Sequence, residues 1–125
     1  MGDFTLPDEN AANRIRVWFA VPTHWDGASN IVLRTIWIAD NTGLADIETQ
    51  VDYRTEVDEA LTTTVSAFAN TNLTWTTAGR SKVLTTTIAA ASLAAGRHFS
   101  ISFRRGTGDA NAGTLFMVGV RINYS

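Results

Sequence analysis

Few residues in this chain could do covalent chemistry. Glu48, Asp52 and Glu56 recur at every fourth position, and Asp58 and Glu59 follow at once. Two carboxylates held about 5–10 Å apart are what hydrolysis of a glycosidic bond requires. On a strand, however, a period of two places the first three on one face together with Gln50 and Arg54. No apolar residue shares that face to raise one carboxyl above another, so the set reads as a polar surface that meets water or a polar partner. His24 and His98 lie 74 residues apart, with no second ligand at strand or helical spacing. None of the seven serines sits in a Gly-x-Ser-x-Gly turn, and there is no cysteine to act as nucleophile, disulfide or metal thiolate. Asp40-Asn41-Thr42-Gly43 and Asp109-Ala110-Asn111 offer oxygens to a cation but lack the full calcium loop, and Asx and glycine turns account for them. No catalytic residue, metal or cofactor is expected, and the chain reads as a non-enzyme.

The aromatic residues are the remaining candidates for function. Trp25 stands between His24 and Asp26 in a turn-rich loop. A tryptophan exposed there would stack on a sugar while His24 and Asp26 bonded its hydroxyls, which makes these three the candidate contacts for a glycan or receptor. Trp18 and Trp37 fall within strand patterns and fit either a core or a subunit interface. With Leu33, Arg104 and Arg105 they form the candidate self-association surface.

The elements that must position these residues are strands. Threonine occurs 18 times and lysine once, and β-branched and aromatic residues cluster in short runs separated by Gly, Asn and Asp. In residues 14–21, Ile15, Val17, Phe19 and Val21 alternate with Arg14, Arg16, Trp18 and Ala20. Residues 31–39 are apolar on both faces apart from Arg34 and Thr35, as expected of a strand covered twice or lying in an interface. Further strands are expected over 47–57, 62–69, 72–77, 82–88, 99–104 and 115–124, with only a brief turn in 89–95. Loops 23–29 and 106–113 are expected to face outward. Spacings near ten residues without a helical period predict an all-β, antiparallel, jelly-roll-like β-sandwich of seven or eight strands over residues 14–125, preceded by a flexible arm over 1–13.

Composition bounds the partners. Charged residues are 18% of the 125, the net charge is −2, and no block of like charge occurs, so no nucleic acid is expected as a partner. Residues 1–6 lack the basic and apolar regions of an export signal, and no window approaches a membrane-spanning length, so no membrane is expected either.

The order of these pieces resembles small jelly-roll domains of tailed-bacteriophage virion proteins. The matching residues are Val17-Trp18-Phe19-Ala20-Val21-Pro22 with Trp25-Asp26-Gly27, then Ile31-Val32-Leu33-Arg34-Thr35-Ile36-Trp37-Ile38-Ala39 and Val51-Asp52-Tyr53-Arg54. They continue through Thr86-Thr87-Ile88, Leu93-Ala94-Ala95-Gly96 and Phe99-Ser100-Ile101-Ser102-Phe103-Arg104-Arg105 to Leu115-Phe116-Met117-Val118-Gly119-Val120-Arg121-Ile122-Asn123-Tyr124. The likeness spans about residues 14–125 and is one of strand pattern, not of a catalytic motif. It implies a domain that self-associates, often as a trimer, and serves as a capsid decoration, head-fibre or tail-fibre element on the virion exterior after synthesis in the host cytoplasm. Its expected partners are copies of itself and other virion proteins such as the capsid or fibre base. A carbohydrate-binding module with Trp25 as platform, contacting a cell-surface glycan, is the alternative.

Overall fold

The computed structural model describes residues 5–6, 14–54, 69–92 and 98–124. They form eight strands: β1 (Thr5–Leu6), β2 (Ile15–Ala20), β3 (Ile31–Ala39), β4 (Gly43–Arg54), β5 (Ala69–Trp75), β6 (Ser81–Ile88), β7 (His98–Arg105) and β8 (Leu115–Asn123). One 3-10 turn, Ala90–Ser92, lies within the stretch expected to be a brief turn. The strand expected over 47–57 begins earlier, at Gly43, because Leu44 and Ala45 continue the ladder with Thr74 and Leu73. Most of the strand expected over 62–69 lies outside the described residues, as do Glu56, Asp58 and Glu59.

The pairing is that of one long hairpin wound over on itself. Strand β1 pairs β8, β2 pairs β7, β3 pairs β6 and β4 pairs β5, all antiparallel. Two further ladders, β3 with β8 and β4 with β7, join these rungs into four-stranded sheets. Sheet A has the order β1-β8-β3-β6 and sheet B the order β2-β7-β4-β5. This is a jelly roll, an antiparallel β-sandwich in a single domain.

The two-residue period sets what lies between the sheets. Ile31, Leu33, Thr35, Trp37 and Ala39 of β3 face Phe99, Ile101 and Phe103 of β7 and Ala45, Ile47 and Val51 of β4, all buried. Trp37 meets Phe103 edge-on across the sandwich at 5.3 Å between ring centroids, and Phe19 stacks on Phe99 at 5.4 Å. Each buried indole has an acceptor for its N–H: Trp37 donates to Thr35 Oγ1 at 2.8 Å, Trp75 to the Arg80 carbonyl at 2.7 Å and Trp25 to the Ser29 carbonyl at 2.7 Å.

Two expectations are corrected here. The stretch read as a flexible arm contains β1, whose Leu6 is buried and whose residues pair with Phe116 and Leu115, so the sandwich begins before residue 14. The strand expected over 115–124 is interrupted by a bulge opposite Ile36 and Trp37, so its faces do not keep strict alternation. Leu115 and Met117 point inward before it, whereas Ile122, opposite Leu33, packs on the core after it. The bulge keeps Phe116 and Arg121 on the outer face although they are five positions apart.

Candidate interaction surface

The loop carrying the candidate glycan contacts folds against its own end of the sandwich. His24 and Asp26 are exposed, but Trp25 is only 8% exposed and belongs to the core. Its backbone N–H donates to the Pro22 carbonyl and its indole N–H to that of Ser29. The Asp26 carboxylate accepts from the backbone N–H groups of Ala28 and Ser29 at 2.9 and 2.8 Å and from the Ser29 hydroxyl at 2.6 Å. Those bonds, led by the Ser29 hydroxyl, hold the Asp26 carboxyl below the usual carboxylate range. Here Trp25 is an anchor for the turn, and no stacking platform is presented to solvent at this position.

Three residues of the expected self-association surface also lie inside. Leu33 and Trp37 are on the inward face of β3 and fill the core. Arg105 is enclosed where β7 leaves sheet B. Its Nε pairs with Asp109, its Nη1 donates to the Gly113 carbonyl at 2.8 Å and to the Leu6 carbonyl at 3.2 Å, and its Nη2 donates to the Asn111 carbonyl. This one guanidinium ties β1, β7 and the 106–113 connection together. That connection was expected to stand outward, yet Asp109 and Asn111 are buried. A Cβ on Gly113 would come within 2.2 Å of Asp40 Oδ1 and 2.9 Å of the Asn41 backbone nitrogen, so the close approach of the two loops needs glycine there, whereas one on Gly106 would meet the Asp46 carboxylate, a side-chain end, at 2.2 Å. The carboxylates of Asp40 and Asp46 accept backbone N–H bonds there, from Thr114 at 2.7 Å and Gly108 at 3.2 Å.

Trp18 and Arg104 do lie on an outer face, that of sheet B. Trp18 is 41% exposed and stands opposite Ser100. Arg104 pairs with Glu48 on the neighbouring strand. Arg16 donates from Nε to Ser102 Oγ at 3.0 Å and reaches Asp52 Oδ2 at 3.7 Å through Nη2. Glu48 and Asp52, read from sequence as facing water or a polar partner, are thus matched by cations, Glu48 by Arg104 on the adjoining β7 and Asp52 by Arg16 on β2 one strand beyond. Asp52 Oδ1 and the Ser100 hydroxyl, a cross-strand pair, are buried without a hydrogen-bond partner.

The outer face of sheet A is built differently. The registers place Ile38 beside Phe116 and Ser81, then Ile36 beside Gly119 and Val83, then Arg34 beside Arg121 and Thr85, then Val32 beside Asn123 and Thr87. Each row follows the last by about 7 Å, two residues along a strand. One half of this face is therefore apolar: Ile36, Ile38 and Phe116 are half-buried, Val83 is 52% exposed, and the bulge residue Val118 is 56% exposed. Ile36 lies over Gly119, where an added Cβ would meet its Cδ1 at 3.3 Å. Among the described strands β1 and β6 are the edges of this sheet, and on β6 the chain's one lysine, Lys82, stands opposite Trp37 on the inward side. An inward charge on an edge strand discourages a further strand from adding.

The sequence pointed to β3 as apolar on both faces but did not single out Phe116 or Val83. Their proximity to Ile36 and Ile38 follows from cross-strand register and from the bulge. No family model, curated protein or solved structure matches this chain. Among the described residues, no group of three or more His, Cys, Asp or Glu could hold a metal ion, and no helix is long and apolar enough to cross a membrane.

Proposed function

We propose that this chain is a non-enzymatic structural protein of a bacteriophage virion, a jelly roll displayed on the capsid or fibre surface that assembles as a trimer through the outer face of sheet A. The observation that carries the self-association is the apolar half of that face, Ile36, Ile38, Val83 and Phe116, which lies outside the core with nothing from the described chain covering it. Contiguous apolar surface of this kind on a sandwich face is the mark of a protein–protein contact. The setting rests on the strand-pattern resemblance over residues 14–125, and the jelly roll is a scaffold that viral capsid domains use.

A trimer sets the face against a different surface of the neighbour, in a head-to-tail contact that closes on three copies. Light scattering of the purified chain at several concentrations tests the assembly: the expected result is three times the 13.6 kDa chain mass, falling to one chain in Phe116→Ser combined with Val83→Thr. A monomer at every concentration would end the self-association reading. Co-sedimentation with empty capsids tests the setting.

A further inference from the structure

We infer that the outer face of sheet B carries a binding site for a neutral saccharide, with the Trp18 indole as its platform and Ser100 and Asp52 as its hydrogen-bonding groups. The three residues form one row across β2, β7 and β4: Trp18 stands opposite Ser100, and Ser100 opposite Asp52. With strands about 4.8 Å apart, the row spans about 10 Å. The indole is 41% exposed, and its neighbours on the same face of β2, Arg16 and Ala20, are exposed as well. Among the described residues it is the one exposed large apolar side chain of sheet B, since Val83, Val118, Val120 and Tyr124 lie on β6 and on or just after β8. The sandwich core does not use it.

Ser100 and Asp52 set this row apart from the next ones along the sheet. There Ser102 accepts from Arg16 and Glu48 pairs with Arg104. Asp52 Oδ1 and the Ser100 hydroxyl, by contrast, are buried with no hydrogen-bond partner, and no bond joins them although they are cross-strand neighbours. The other carboxylate oxygen, Oδ2, meets Arg16 Nη2 only at 3.7 Å, beyond hydrogen-bond reach. Leaving a buried polar group unpaired costs stability, so an unpaired acceptor and an unpaired hydroxyl side by side point to a ligand that completes them. A saccharide supplies what is missing. Its hydroxyls donate and accept, so adjacent ones bond Asp52 Oδ1 and Ser100 while the C–H face of the ring lies on the indole. Arg16, whose side chain is 36% exposed, turns from Asp52 to admit it. The carboxylates of Asp52 and Glu48 on this face disfavour an anionic ligand. One indole among polar side chains is too small an apolar centre for a protein interface. The site lies on the sheet opposite the proposed association face and does not depend on it.

The test uses the full chain, fluorescently labelled at its amino groups, on an array of neutral and sialylated oligosaccharides, followed by titration calorimetry with the neutral oligosaccharide bound best. Binding to neutral oligosaccharides is expected, falling about tenfold or more in Trp18→Ala and partly kept in Trp18→Phe, which retains a ring face. Ser100→Ala should weaken binding about fivefold. Its thermal midpoint should be unchanged or raised, because the hydroxyl has no partner in the unbound fold. Arg80→Gln, an exposed arginine of the turn before β6, should bind as the unmodified protein does. Circular dichroism of Trp18→Ala should match that of the unmodified protein, and Ser100→Ala carries the comparison if the alanine variant at 18 fails to fold. Binding unchanged in Trp18→Ala overturns the platform, and no binding across the array overturns the site. Binding confined to sialylated members overturns the neutral class. Full affinity in Ser100→Ala overturns the reading of its unpartnered hydroxyl as a ligand group. Glycan binding by a monomeric protein counts against the trimer alone, and a trimer that binds no glycan counts against this site alone.

Discussion

The two outer faces of this sandwich carry charge in opposite ways. On sheet B, Arg16 lies against Asp52 and Ser102, Arg104 against Glu48, and Arg105 turns inward to Asp109 and a set of carbonyls. On sheet A, Arg34 and Arg121 face each other with no described carboxylate paired to them, and the row of Ile36 and Val83 on one side of them is apolar. A face whose charges are matched by its own strands leaves little for a partner to neutralise. One that places like charges together beside exposed valine and phenylalanine is unfavourable in isolation and improves when covered. The same residue type is therefore engaged by its own strands on one sheet and set against its like on the other, and substitutions should separate the two.

The largest effect is expected at Arg105. Arg105→Met leaves Asp109 charged and buried, and removes the donors to Leu6, Asn111 and Gly113, so urea denaturation should show a loss of about 3–5 kcal/mol. The companion variant Arg105→Met with Asp109→Leu should recover part of that loss, because the stranded charge is gone. No recovery would mean that the carbonyl contacts, not the ion pair, hold the end of the sandwich. Phe116→Ser comes next. It should cost the isolated domain only about 1 kcal/mol, since the ring is half outside, while shifting the assembly toward single chains in light scattering. If the stability loss matched that expected for the core residue Trp37→Ala, about 3–5 kcal/mol, Phe116 would be core and the contrast between the faces would fail.

A smaller effect is expected at the Glu48–Arg104 pair, which is partly exposed. A double-mutant cycle with Glu48→Gln and Arg104→Gln should give a coupling of about 1 kcal/mol or less by denaturation, decreasing with salt. A coupling near zero would make sheet B's ion pairs incidental and weaken the view that its outer face is self-sufficient.

What could be foreseen from sequence follows the same division. Strand β3 was legible to the residue, because eight β-branched and apolar residues, interrupted only by Arg34, run between Asn30 and Asp40, and the inward set of β2 followed from plain alternation. The jelly roll itself was legible from strand spacing. Trp37 and Leu33 were assigned to an interface because a strand apolar on both sides does not announce which side is inward. That choice is made by the partners across the sandwich, Phe103 above all. Arg105 was misplaced for a related reason. Two adjacent arginines look alike in sequence, but the period of two sends Arg104 outward and Arg105 inward to an aspartate four residues later. Trp25 looked exposed because its neighbours are polar, and only the bond from its indole to Ser29 shows that the turn closes over it. The outer patch of sheet A was invisible because it joins three strands distant in sequence, and a one-residue bulge in β8 decides which of its residues take part.

The smallest effect is the most telling for the contrast. Arg34→Gln or Arg121→Gln alone should leave the folded domain as stable as before or more stable by about 0.2–0.5 kcal/mol, because each removes one member of a like-charge cross-strand pair. Once the first arginine is gone the second substitution should add little, since the repulsion belongs to the pair. That non-additivity separates mutual repulsion from two unrelated surface effects. The gain should shrink as salt rises, opposite in sign to the response of the Glu48–Arg104 coupling, which loses attraction under the same screening. Equal and opposite salt trends would show that the two sheets use arginine for different ends. A loss of stability in either single variant would place Arg34 and Arg121 among the residues that hold the fold and end the contrast between the two faces.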